Sequence, residues 1–205
     1  MVALWLALTR SQERAIAPQQ PATDALHMQI AIPHIDPRRA TGIEIRPLTA
    51  SDRDRLSEAF TRLSEDTRLR RFHGLANRLS EHDLDRLTAL DHHRHEALAA
   101  IGVDTRRIVG VARDVALPED PGAAEVAVAV DDEWQGRGIG GRLMSELLDR
   151  ARAEGITRIL AYVGPDNHPV LSWITRAGGR AQAYNGDATL YSIPLERFWT
   201  RRRAA

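Results

Sequence analysis

The run Ala124-Glu125-Val126-Ala127-Val128-Ala129-Val130 constrains the fold of this chain more than any other stretch. Its small and β-branched residues suit a buried strand. An acidic turn, Asp131-Asp132-Glu133, follows. Then Gln135-Gly136-Arg137-Gly138-Ile139-Gly140-Gly141 opens into a helix running from Gly138 to about Ala153, with Gly155 as its stop. A loop of this kind aims several backbone N–H groups at one spot, and the helix terminus adds about half a positive charge there. Phosphate and pyrophosphate groups bind at such places. The sequence therefore points to a phosphorylated cofactor.

Gly136 to Gly141 also fits G-x-G-x-x-G, the dinucleotide fingerprint. Its context argues otherwise. In a dinucleotide unit the first glycine follows the strand almost at once, whereas Asp131 to Gln135 intervene here. A Walker A loop needs a lysine, and all 28 basic residues of this chain are arginines.

The order of elements is an independent argument. Ile43–Leu48 alternates as a first strand. Thr49 or Ser51 caps a helix to about Leu63, and a short helix is expected over Glu65–Phe72. Ser80-x-x-Asp83 is a capping-box variant before Leu84, Leu87 and Leu90. Strands are expected at 96–103 and 107–116, at Glu125–Val130, at Thr157–Val163, and near 180–185 and 188–194. A helix from Pro169 to Ala177 has proline in its favoured first turn. The result is an α/β fold with a mixed, mostly antiparallel central sheet flanked by helices. It has one parallel crossover, spanning the glycine-rich loop, whereas a dinucleotide domain needs a series.

With 205 residues and 43% apolar content, one core in one domain is expected. Residues 1–42 carry Pro18, Pro21, Pro33 and Pro37 without periodicity and read as an extended or partly disordered arm. The domain spans 43–194, and 195–205 form a basic tail ending in Arg201-Arg202-Arg203. Zero formal net charge gives no field favouring nucleic acid or an anionic membrane. No apolar run approaches the ~18 residues of a membrane span. Met1–Leu8 is apolar but lacks a preceding basic region and a clear cleavage site, so a cytoplasmic location is expected. There is no cysteine, which removes thiolate chemistry and Cys-ligated zinc. Asp91-His92-His93-Arg94-His95-Glu96 has no second cluster to complete a metal site, and no metal is assigned.

Gln135-x-x-Gly138-x-Gly140 resembles the Gln/Arg-x-x-Gly-x-Gly/Ala motif of the GNAT superfamily, the N-acetyltransferases that use acetyl-CoA. Ala124–Val128 before it, and Asn167 and Ala177-Gly178-Gly179 after it, stand at that family's spacing. Ile45-Arg46-Pro47-Leu48 looks like the opening of many GNAT domains. Ser64-Glu65-Asp66-Thr67-Arg68, Arg71-Phe72, Leu79-Ser80, Leu84, Leu87 and His95-Glu96-Ala97-Leu98 resemble the bacterial protein-lysine acetyltransferase branch, the Pat-like one. The resemblance covers about 43–194.

The resemblance implies a GNAT fold, acetyl-CoA as cosubstrate and an amine acceptor, a protein lysine or a small molecule. It leaves the oligomeric state open, a homodimer included. It implies that backbone at Val128 and Val130 contacts the pantetheine arm and acetyl carbonyl. Backbone N–H groups from Gln135, Gly136, Arg137, Gly138, Ile139, Gly140 and Gly141 would hold the pyrophosphate, with Arg137 adding charge. Asn167 would bond the pantetheine, although a helix cap before His168-Pro169 also explains it.

Glu125 stands at the general-base position of this resemblance. A lysine amine, with a reference pKa near ~10.4, must lose a proton before it attacks a thioester. A carboxylate within reach can take it. Alternation places Glu125 on one face with Ala127 and Ala129, which leave room beside it.

Two departures stand out. The family often has a tyrosine acid where this chain has Ile174, and Gly-Phe where it has Gly178-Gly179. Tyr162 and Tyr184 are weak substitutes that read as packed strand aromatics. A non-catalytic acyl-CoA-binding sensor is the alternative from a different class.

Overall fold

A computed structural model of the chain describes residues 42–64 and 78–196. The expected arm up to residue 41, the helix over Glu65–Phe72 and the Arg201–Arg203 tail lie outside the described residues.

The elements run β1 (Ile43–Pro47), a 3-10 turn (Ala50–Asp52), α1 (Arg53–Arg62), α2 (Glu81–Thr88), β2 (His95–Gly102), β3 (Ile108–Leu117), β4 (Asp120–Val130), a second 3-10 turn (Asp132–Trp134), α3 (Ile139–Ala153), β5 (Arg158–Val163), α4 (His168–Arg176), β6 (Arg180–Tyr184) and β7 (Thr189–Pro194). The seven strands form one sheet in the order β1-β2-β3-β4-β5-β7-β6. Every pairing is antiparallel except β4 with β5. That parallel pair is the expected crossover, with α3 as its connecting helix.

Local chemistry sets the helix starts. Ser80 and Asp83 form a reciprocal capping box, with Asp83 N–H donating to Ser80 Oγ at 3.1 Å and Ser80 N–H to Asp83 Oδ2 at 3.1 Å. Thr49 caps the 3-10 turn, and its N–H donates to Asp52 Oδ2 at 3.0 Å. Asp52 also receives two bonds from the Arg46 guanidinium, at 2.6 and 2.7 Å, which tie β1 to α1.

Two cores sandwich the sheet. α1 and α2 contribute Leu56, Phe60, Leu84 and Leu87 to one face, over Ala97, Ala99, Ile101 and Val111. α3 contributes Ile139, Leu143, Leu147, Leu148 and Ala151 to the other, over Leu98, Ala112, Ala124, Val126 and Ile159. The three leucines of α3 are fully buried. Each stabilises the fold by roughly 1.5–3 kcal/mol relative to exposure.

β4 begins five residues earlier than the alternation implied. Pro121 and Gly122 look like loop residues, yet Ala123 and Ala124 are fully buried, both pair with β5, and Ala124 also pairs with β3. A register shift between Ala116 and Leu117 absorbs the irregular start. Proline is tolerated at such an irregularity.

Candidate active site

The glycine-rich loop forms a helix start that its own side chains do not cap. Gly138 is the N-cap of α3 with φ +80°, no side-chain cap hydrogen bond is made, and the first turn holds no acidic residue. Gly136 is also left-handed, with φ +73°. Both conformations favour glycine, and a Cβ at either would meet no atom within 4 Å. The helix's first N–H groups therefore face an open space beside a positive dipole end. α2, by contrast, satisfies its own N-terminus. Ile139 anchors the turn in the core, 1% exposed. Gly140 lies over β4, where a Cβ would sit 3.5 Å from Val130 Cγ2 and 3.8 Å from Val128 Cγ2. Gly141 continues the same turn.

The acidic turn before the loop is spent on structure. Arg62 Nε donates to Asp131 Oδ2 at 3.1 Å, and Ser64 N–H donates to Asp132 Oδ2 at 2.9 Å. The Gln135 amide donates to Val130 O at 3.1 Å and to Asp132 Oδ1 at 3.2 Å, lashing the loop to the end of β4. Its backbone N–H goes to Asp132 O at 3.3 Å. Within the 135–141 set, Gln135 thus shapes the loop, and the open donors begin after it. Arg137 lies over the Trp134 ring, 4.7 Å from its centroid, and donates to Glu133 O at 3.0 Å.

Next to this loop the sheet opens. β4 and β5 pair only through Ala123–Arg158, Ala124–Ile159 and Glu125–Leu160. β5 then continues against β7 as far as Val163–Thr189, while β4 continues against β3 as far as Val130–Gly110. The two parallel strands therefore separate beyond Glu125, with Val128 and Val130 along one side of the gap.

Glu125 stands at the apex of the opening. Ala124 and Val126 face the α3 core, so Glu125, Ala127 and Ala129 face the other way. Glu125 is half-buried, and its Oε1 is shielded from solvent with no hydrogen-bond partner. Desolvation raises its pKa, and the charge of Glu119 adds to the rise, to about 7. A base poised near neutrality is the form general-base catalysis favours. His95 shares this face through the cross-strand series His95–Val115–Glu125. Burial, then the Arg113 charge, push His95 down to about 4, so it is neutral near pH 7.

Asn167 is the N-cap of α4, yet its side chain makes no cap hydrogen bond. Ile174 is 1% exposed, so helix α4 offers no acid at this position. Gly178 and Gly179 close that helix. Gly178 N–H donates to Thr175 O at 3.1 Å and Gly179 N–H to Ile174 O at 2.9 Å, with Gly178 at φ +75°. This is the Schellman arrangement. A Cβ on Gly179 would lie 2.4 Å from Ile174 Cγ2, so packing against Ile174 accounts for the second glycine. Tyr184 is 66% exposed on the edge strand and bonds Gly186 O, away from the opening. Tyr162, by contrast, is on β5 and feels the Glu125 charge. That proximity is not legible in the sequence, because it depends on which strand lies beside β4.

A cavity of about 130 Å³ lies on the opposite, α3 side, lined by His92, His93, Glu96, Asp114, Arg150 and Glu154 among others. His92 pairs with Glu96 at 2.7 Å and His93 with Glu154 at 3.3 Å. The histidines of the sequence cluster are thus divided among different acids and both faces of the sheet.

The sequence model of the acetyltransferase (GNAT) family matches residues 57–178. The chain belongs to the GNAT acetyltransferase family. Acetyltransferase PA5475 of Pseudomonas aeruginosa is 32% identical over 147 residues, 71% of this chain and 78% of that protein. Acetyltransferase Pat of Mycolicibacterium smegmatis is 30% identical over 134 residues, 65% of this chain but 40% of that protein. The crystal structure of the GNAT domain of S. lividans PAT aligns with a TM-score of 0.67 at 27% identity, covering 75% of this chain and 90% of that one.

As a GNAT acetyltransferase the protein takes acetyl-CoA as cosubstrate. The residues present fit that molecule. The uncapped turn of α3 suits its pyrophosphate, and the open edge between β4 and β5 suits an arm carrying two amides. Among the described residues, no helix is long and apolar enough to cross a membrane.

Proposed function

We propose that this acetyltransferase transfers acetyl from acetyl-CoA to a primary amine, most favourably a protein lysine, by direct attack within a ternary complex. Residues 43–194 form the catalytic unit in this reading. The observation that carries it is Glu125, a carboxylate at the apex of the β4–β5 opening whose shielded Oε1 has no hydrogen-bond partner and whose pKa is raised to about 7. Glu125 takes a proton from the incoming ammonium. The free amine attacks the thioester carbon, the C–N bond forms, and the C–S bond breaks with its electron pair leaving on sulfur. The thiolate is a weak enough base to leave without a protein acid, and it takes up the surplus proton that the nitrogen sheds, giving CoASH. N–H groups from Gly136 to Gly141 hold the pyrophosphate, β4 backbone at Val128 and Val130 orients the arm and acetyl carbonyl, and the Asn167 amide bonds the pantetheine. A protein lysine is favoured by resemblance to the protein-lysine branch and by two relatives named Pat.

Glu125→Gln tests the reading. Acceptor-dependent CoASH release should fall on the order of 10²–10⁴-fold, the usual worth of a general base, while a CoA-binding titration stays unchanged. Undiminished release would remove Glu125 from the mechanism. A panel of lysine-bearing proteins and small amines, read by the same assay, separates the two acceptor classes. CoA binding with no release from any acceptor would favour the sensor reading.

A further inference from the structure

We propose that Tyr162 is the acceptor-positioning residue, holding the amine nitrogen through its hydroxyl while Glu125 takes the proton. This rests on Glu125 being the base.

The register places the two side chains on one face of the sheet, on neighbouring strands and offset by two residues. Glu125 pairs with Leu160 in the last β4–β5 pair, and Tyr162 stands two residues further along β5, where the strands have separated. Ile159, Ala161 and Val163 all face the α3 core. Leu160 and Tyr162 therefore face the other way, the side Glu125 occupies. One strand leads to the carboxylate, the other to the phenol, and the gap lies between them.

Both groups have capacity to spare. Glu125 Oε1 has no partner. Tyr162 is half-buried, and a tyrosine hydroxyl so placed ordinarily finds a partner. Tyr184 finds Gly186 O, whereas the Tyr162 hydroxyl makes no hydrogen bond among the described residues. Burial, and then the Glu125 charge, raise the phenol above its ordinary value. It therefore stays protonated and neutral beside the carboxylate. The surroundings suit an aliphatic arm ending in nitrogen: Leu190 pairs with Tyr162 and Ser192 with Leu160 across β7, and Ala127 and Ala129 follow Glu125 on β4.

An ammonium group has three N–H donors. One proton passes to Glu125, and a second N–H is accepted by Tyr162 Oη. These two bonds direct the freed lone pair towards the thioester carbon. As the C–N bond forms and the C–S bond breaks, nitrogen passes its surplus proton to the departing thiolate, giving CoASH, and keeps one N–H, now an amide. Tyr162 gains and loses no proton.

The test compares Tyr162→Phe with Glu125→Gln in the full chain. Two ligands are titrated: CoA alone, and CoA joined through an acetyl bridge to the lysine Nε of a blocked peptide, which retains the amide N–H. Phenylalanine keeps the ring and removes only the hydroxyl. The conjugate should bind Tyr162→Phe about 3- to 10-fold more weakly, the range for one hydrogen bond, with CoA affinity and melting temperature unchanged. Equal conjugate affinity in wild type and Tyr162→Phe overturns the proposal. So does an equal loss for CoA and conjugate, which would mean a packing role. Turnover of Glu125→Gln on a blocked lysine peptide is measured in parallel. Its failure to fall sinks the base assignment, whatever the conjugate shows for Tyr162.

Discussion

Gly179→Ala is a sharp test of the packing that requires glycine just after helix α4. The added Cβ would lie 2.4 Å from Ile174 Cγ2, 2.8 Å from Ile193 Cγ1 and 3.2 Å from Ile174 O. Both isoleucines are 1% exposed and have nowhere to retreat. The oxygen is also held, because it accepts the Gly179 N–H that closes α4. Overpacking a fixed core costs about 1–3 kcal/mol, and two contacts below 3 Å place this case at the upper end. For a protein of this size each kcal/mol moves Tm by about 2–4 °C, so a loss of roughly 6–12 °C is expected. Calorimetric melting measures it. Ile174→Ala alone should cost about 2–5 kcal/mol through the cavity it leaves. The double variant should cost at least about 1 kcal/mol less than the sum, because the new methyl enters that cavity. Activity per folded molecule should not change. A Gly179→Ala protein melting within about 1 °C of wild type, or strict additivity in the cycle, would refute the packing account of this glycine.

Further predictions concern charge. Glu119→Gln removes a charge that raises Glu125. With Glu125 as the proposed base, the rate should require its ionised form and rise with pH through about 7, so the acidic limb of kcat/KM should move to lower pH. An unmoved limb would mean that Glu119 does not act on the base. Asp52→Asn removes the paired bonds from Arg46, the main cause of an Asp52 pKa of about 2, well below the usual 3.8. A depressed carboxyl contributes stability above its unfolded value and loses it as pH falls through the folded one. Wild type should therefore lose about 1–2 kcal/mol more than the variant between pH 4 and pH 2, allowing for an Arg46 side chain that is 30% exposed. Parallel denaturation curves at pH 5 and pH 2.5 would show it, and equal losses would contradict it.

Much of the fold was legible because local rules agreed with each other. Ser80 and Asp83 announced their helix, and Pro169 and Gly155 marked boundaries that stand within a residue or two. Strand alternation alone put Glu125 on a face with Ala127 and Ala129. The extra length of β4 was not legible, because Pro121 and Gly122 read as loop and only burial of Ala123 and Ala124 between two strands makes them sheet. Gly179 carried no hint of its neighbour Ile193, which comes from the final strand. Tyr162 read as packing for the same reason. Alternation assigns it a face of β5, but nothing local says that β5 lies beside β4 and leaves it after three pairs.

The sequence by itself determined the glycine-rich helix start, the α/β class, the single parallel crossover and the face of its strand on which Glu125 lies. These follow from glycine conformation, hydrophobic period and the order of elements, all short-range properties of the chain. Tertiary structure alone decided where β4 and β5 separate, how far burial and Glu119 raise Glu125, and that Tyr162 shares its face of the sheet on the neighbouring strand. Those depend on contacts between residues far apart in the chain, and desolvation has no value until the strands that exclude water are in place.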